Sequence, residues 1–225
     1  MKPLFLSLMF LLSTLSFSGA AGVTITNSGF ETDILGAGSW SNAVPTGWSD
    51  PQGGDNTNFL EHIPGFASDG SNHLGFDGNE YGMIYQNLSA AWAPNTTYTF
   101  TVGVGNRSGA GAGTGRFFLA SSLEPLPSPG PFDGPYSLYT PGSGWYTDYD
   151  TSLTVPAPTA FGDVTFTYTT GAVAPTGNIR IGVQEISGIR LHVDNFRLDA
   201  TAIPEPSAAV ILAMAVGLAF RRRRA

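Results

Sequence analysis

Between Val23 and Ala200 the chain is built from short runs in which every second residue is apolar. Tyr98, Phe100, Val102 and Val104 fall on one side of such a run, with threonines and glycines on the other. Ile84, Gln86 and Leu88 make a second run, Val164, Phe166 and Tyr168 a third, and Ile179, Ile181 and Val183 a fourth, while Val23 and Ile25 open another. A period of two puts alternate side chains on opposite faces of an extended chain, so these runs predict half-buried strands. No stretch before Ala208 sustains a helical period, and turn-forming segments separate the runs. Many short strands of this kind predict an all-β, antiparallel β-sandwich.

The last run breaks its own rhythm. Ile189, Leu191 and Val193 share one parity and Phe196 and Leu198 the other, so the phase flips at Asp194-Asn195. A one-residue bulge there would re-aim the strand at Asp194; a strand covered on both faces is the competing explanation. Long loops are expected at residues 40–69 and 121–158, the second dense in aromatics (Phe132, Tyr136, Tyr139, Trp145, Tyr146, Tyr149). Residues 103–115 are read as a glycine-rich hairpin turn. They open no helix after a strand, which argues against a phosphate loop.

The two ends carry a different pattern. Lys2 is followed by the apolar run Leu4 to Phe17 and the small residues Ser18-Gly19-Ala20, the three-part pattern of a secretory signal. A signal peptide over residues 1–20 and cleavage by signal peptidase after Ala20 or Ala21 are expected. At the other end Pro204-Glu205-Pro206 precedes the uncharged segment Ala208 to Phe220 and then Arg221, Arg222, Arg223 and Arg224. Thirteen helical residues span about 20 Å against a hydrocarbon core of about 30 Å, so the segment suits a short anchor. Four arginines resist translocation and hold that end on the cytoplasmic side. Residues 203–225 resemble the PEP-CTERM sorting signal of exported bacterial proteins. That resemblance implies recognition by an exosortase, transient anchoring in the inner membrane as a transmembrane helix, and release to the cell surface or the extracellular space.

Composition narrows the chemistry. The chain has no cysteine, which excludes disulfides, thiolate zinc sites and thiol catalysis. From Val23 to Ile203 there is no lysine, and five arginines (Arg107, Arg116, Arg180, Arg190, Arg197) face sixteen carboxylates. Such a surface repels phosphate backbones, so nucleic acid is no expected partner. Carboxylates without lysines suit hard cations that take oxygen ligands; they also keep exported proteins soluble.

Two end motifs then stand out: Asn27-Ser28-Gly29-Phe30-Glu31 with Val44-Pro45-Thr46-Gly47-Trp48, and Val193-Asp194-Asn195-Phe196-Arg197-Leu198. With Gly75-Phe76 and Ile84 to Leu88 between them, residues 23–200 resemble the galactose-binding-like jelly roll of carbohydrate-binding modules. They are also similar to the PEP-CTERM relatives of the Stig cyclases of hapalindole biosynthesis. The resemblance implies a structural calcium near the chain ends, with Glu31 and Asp194 as carboxylate ligands and Asn27 as a weaker one. The alternative pairs Glu31 with Arg197 or Arg190 and leaves Asp194 capping a turn.

Sugars are held by aromatic faces beside carboxylates and amides. Trp145, Tyr146 and Tyr149, set among Asp148 and Asp150 in the long loop, form the candidate ligand surface, whereas Trp48 and Trp92 read as core. No catalytic constellation emerges: His62, His73 and His192 lack a metal-like spacing, and no nucleophile elbow occurs. The expected function is a calcium-stabilised, surface-delivered module that binds exopolysaccharide or serves structurally. The alternative is a calcium-dependent enzyme of Stig-cyclase or glycan-active type.

Overall fold

The computed structural model describes residues 19–51, 58–77, 82–105, 114–124, 126, 160–187 and 190–204. The expected signal segment before Gly19, the tail after Pro204 and the aromatic-rich stretch with Trp145, Tyr146 and Tyr149 lie outside the described residues. Among the described residues, no helix is long and apolar enough to cross a membrane.

The strands are β1 (Ala21–Gly22), β2 (Trp40–Ser41), β3 (Asn58–Glu61), β4 (His73–Asp77), β5 (Met83–Ala91), β6 (Thr96–Gly105), β7 (Thr114–Ser121), β8 (Phe161–Thr169), β9 (Asn178–Ser187) and β10 (Arg190–Ala202). The larger sheet runs β2-β3-β4-β10-β6-β8, with β1 on β10, and the smaller runs β5-β9-β7. All pairings are antiparallel. This is the expected sandwich. The core between the sheets takes alternate residues from both: Phe100, Val102 and Val104 from β6, Leu191 and Val193 from β10, Ile179, Ile181 and Val183 from β9. On the solvent side of β6 and β8, facing threonines pair their hydroxyls, Thr97 with Thr169 at 3.0 Å and Thr101 with Thr165 at 2.9 Å, a favourable cross-strand match.

Two expectations need correction. Residues 40–69 are not all loop, because β2 opens them and β3 lies within them. All four of its residues are buried, so its two covered faces erase the alternation that reveals a strand. The glycine-rich segment is no hairpin either: β6 pairs with β10 and β8 in one sheet, β7 with β9 in the other.

The phase flip is a bulge. Along β6, Asp194 pairs with Gly103 and Arg197 with Thr101, so β10 fits an extra residue between them. Asn195 carries the left-handed backbone, φ 50°, a conformation that asparagine tolerates better than most residues. The bulge turns Phe196 into the core against Trp48 and Phe30, at ring-centroid distances of 4.7 and 5.9 Å.

Candidate functional site

The first candidate site forms where the Asn27–Glu31 turn meets the bulge. Phe196 N donates to Ser28 O at 3.0 Å, joining the two motifs directly. Phe30 is fully buried with φ 62°; its ring anchors the turn in the core, and Glu31 next to it reaches the 70–72 turn. There Glu31 Oε1 accepts from Ser71 N at 2.7 Å and Asn72 N at 2.6 Å. Asp194 is fully buried. Its Oδ2 accepts from Ser68 N at 2.7 Å and Asp69 N at 2.9 Å, and its Oδ1 from Asn195 N at 2.7 Å. Burial pushes the Asp194 carboxyl up to about 7, against the pull of these three N–H groups, and the nearby Asp69 pushes the same way.

The carboxylates share one small region. A Cβ placed on Gly29 would sit 3.6 Å from Asp194 Oδ1 and 3.7 Å from Asp69 Oδ2, and one on Gly70 would overlap the Glu31 carboxyl. Glu31 and Asp194, expected together from sequence, therefore border the same loop pair, and Asp69 joins them. Asp69 was not anticipated; a lone acid in a Ser-Asp-Gly-Ser loop carries no distinguishing signal. Asn27 takes another part. Its Oδ1 accepts from Thr32 N, and its Nδ2 donates to Asp33 Oδ2 at 2.9 Å and Thr46 O at 3.0 Å, bracing the loop. The competing ion pairs are not the arrangement found: Arg197 pairs with Asp163, and the Arg190 guanidinium lies 5.4 Å from the centre of the Phe59 ring.

The residues fit calcium in type, as carboxylates on neighbouring loops. Two like-charged carboxylates flank one glycine, one of them fully buried, which favours a cation. Ligands on opposite sides of a calcium ion stand about 5 Å apart, so the arc need not be tight, and each carboxylate keeps lone pairs beyond those its N–H partners use.

A second polar group lies on the face of the larger sheet that points away from the core. Glu61 and His73 are directly paired across β3 and β4, and His192 faces Gly75 across β10 and β4. His73 and His192 thus become diagonal neighbours although more than a hundred positions separate them in sequence. Their rings lie 5.1 Å apart, and Phe66 stands edge-on to both, at 5.1 and 5.4 Å. His73 and His192 are fully buried and Glu61 is 8% exposed.

A third buried acid is Glu185. It shares parity with Ile181 and Val183, sits opposite Gly115 on β7, and is fully buried, which places it on the inward side of the smaller sheet. Its backbone N–H donates to Gly82 O at 2.9 Å. Sequence alone gave it no prominence, being one acid at the end of an apolar run. Trp48 and Trp92 are core, as expected, while Trp40 is 63% exposed on the edge strand β2.

An antiparallel jelly-roll sandwich with acidic loops at the junction of its first and last segments is the class defined by this fold. Within that class, the family model described as "HpiC1-like: HpiC1 cyclase" matches residues 21–199. The chain belongs to the HpiC1-like family. Among solved structures it is similar to a cyclase from Fischerella sp. TAU, with 20% identity, 83% of this chain and 100% of that chain covered, and a TM-score of 0.58. A cyclase from Fischerella sp. TAU in complex with 4-(1H-indol-3-yl)butan-2-one gives 20% identity, 82% and 100% coverage, and a TM-score of 0.58. An apo form cyclase from Fischerella sp. gives 22%, 82% and 98%, and 0.57. No curated protein matches the chain.

Proposed function

We propose that this family member is an exported surface protein whose sandwich is stapled by calcium and binds extracellular polysaccharide. In this reading residues 1–20 direct export. The segment from Pro204 to Arg224 is the exosortase signal that holds the chain in the inner membrane before release. Calcium binds at Glu31, Asp69 and Asp194, and the segment bearing Trp145, Tyr146 and Tyr149 presents the sugar-binding surface.

The observation that carries this reading is the meeting of Glu31, Asp69 and Asp194 around Gly29 and Gly70. A cation there would tie the first turn to the last strand in a protein without cysteine, a place where a bound metal contributes directly to folding. The test is retention of the full-length protein on a panel of acidic and neutral polysaccharides, in calcium and in chelator. Calcium-dependent retention that is lost in a Trp145→Ala, Tyr146→Ala double variant supports the reading. Equal behaviour on every polymer, with or without calcium, defeats it.

Family membership and Glu185 favour a second reading, an acid-catalysed cyclisation. A carboxyl group held between the sheets is placed to serve as a general acid toward an apolar ring substrate. Indole-bearing ketones, the ligand class in the Fischerella cyclase complex, are the first probes. Turnover that disappears in Glu185→Gln while the melting temperature holds would establish this reading. Absence of any turnover across an indole-terpenoid panel would sink it.

A further inference from the structure

We infer that Glu61, His73 and His192 form a binding site for a first-row divalent transition metal, zinc foremost, separate from the proposed calcium staple. One ligand atom from each of the three lies within 4.8 Å of the other two. Bonds of about 2.0–2.1 Å around tetrahedral zinc put neighbouring ligand atoms about 3.4 Å apart. His73 Nε2 and Glu61 Oε2 stand at 3.6 Å, close to that edge already, and the longest separation closes with side-chain shifts of under ~1 Å each.

Burial argues for an ion over a simple salt bridge. The His73 Nε2–Glu61 Oε2 separation of 3.6 Å is beyond hydrogen-bond distance. Neither ring nitrogen of His73 makes a hydrogen bond although the residue is fully buried, and a buried polar atom in that state calls for a partner. Among the described residues, aromatic rings pack around the two histidines. Phe66 packs on both histidines, Phe161 on Phe66 at 4.8 Å and on His73 at 5.8 Å, and Phe59 faces His192 at 6.1 Å. A metal binds imidazole through a ring nitrogen lone pair, and both rings are held in place by this packing. Gly75 completes the floor: a Cβ there would lie 2.3 Å from the Phe59 ring, so any side chain would push Phe59 off the sheet beside His192.

The ligand set decides the metal. Two imidazoles and one carboxylate suit zinc and its neighbours, whereas calcium takes oxygen ligands. Three protein ligands leave the fourth position of a tetrahedral ion for water or a ligand oxygen. The site uses none of the groups assigned to calcium, so either can exist without the other.

The test is zinc retention by the full-length protein, stripped with chelator, loaded with zinc and freed of excess by gel filtration in millimolar calcium. We expect about one zinc per chain, falling to background in His73→Gln and Glu61→Gln and staying unchanged in Glu31→Gln. Circular dichroism selects the variants that fold. Cobalt loading of the unaltered protein gives a readout independent of any variant, because tetrahedral cobalt bound through nitrogen and oxygen absorbs intensely in the visible. Background zinc in the unaltered protein, zinc kept by folded His73→Gln, zinc lost in folded Glu31→Gln, or an octahedral cobalt spectrum would each overturn the assignment.

Discussion

Asp194→Asn separates a calcium ligand from a turn cap, because the two roles predict different responses to the ion. The carboxylate accepts three backbone N–H groups, from Ser68 and Asp69 on one oxygen and Asn195 on the other. An amide keeps only one oxygen, so its NH2 end faces an N–H donor. The loss is at least one hydrogen bond to a charged group, about 1.5–3 kcal/mol. Against this, the substitution removes a buried anion whose carboxyl burial has already pushed up to about 7. The two effects oppose, so in chelator the variant should lie within about 2 kcal/mol of the unaltered protein. In calcium they part. At about 100 times the dissociation constant, binding to the folded state alone adds about 2.7 kcal/mol. For a domain of this size that raises the melting temperature by about 5–11 °C. Thermal melts followed by circular dichroism, in chelator and in stepwise calcium, read this directly. We expect the full rise in the unaltered protein, less than about 2 °C in Asp194→Asn, and a weaker response to magnesium, which demands tighter octahedral geometry. No calcium response in the unaltered protein would refute the reasoning, and so would an equal response in the variant.

Other substitutions test the frame that carries the site. Phe196→Ala empties the aromatic cluster with Phe30 and Trp48 and should cost about 3–5 kcal/mol in urea unfolding. Gln86→Ala removes the side chain that bonds Thr26 N, Thr26 O and Gly47 O at 2.8–2.9 Å; a loss of about 2–4 kcal/mol is expected in the same assay, with the first turn detached from the smaller sheet. Gly47→Ala meets the Thr26 side chain at 2.8 Å from a backbone of φ +85°, so the melting temperature should fall by several degrees, on the order of 1–2 kcal/mol. Arg197→Ala breaks an ion pair with Asp163 whose two side chains are both over two-fifths exposed, and should change stability by under about 1 kcal/mol.

What the sequence disclosed followed from where alternation survives. β5, β6 and β8 bury one face and leave the other wetter. β9, buried on both faces, still alternates Ile179, Ile181 and Val183 with Arg180, Gly182 and Gln184, so the apolar residues of all four mark them in the chain. The bulge was legible for the same reason, since a phase break in one strand is a local event. β3 was hidden because both of its faces are covered, and Glu61 was hidden with it. Allocation of β6 and β7 to different sheets could not be read, because β6 pairs with β10 and β8, and β7 with β9, partners distant in sequence. Glu31 and Asp194, the carboxylates of the proposed staple, stand in short motifs at the two ends and could be singled out there. Asp69, Glu185 and the Glu61–His73–His192 group owe their significance to contacts made by strand register across the whole domain.

Strand β10 shows why these features occur together. It is central to the larger sheet, bonded to β4 and β1 on one edge and β6 on the other, so its residues must satisfy both faces at once. Before the bulge, Leu191 and Val193 face the core while His192 and Asp194 share the outer side; after it, Phe196 and Leu198 face the core. A straight strand would keep the even positions outward and would bring Phe196 and Leu198 to the polar face. The extra residue lets one strand present a metal-ligating imidazole and a buried carboxylate on one side without giving up the aromatic anchor on the other. The left-handed Asn195 is therefore a condition of the site as well as of the fold. Its N–H, turned onto Asp194 Oδ1 at 2.7 Å, is the point at which the two requirements meet.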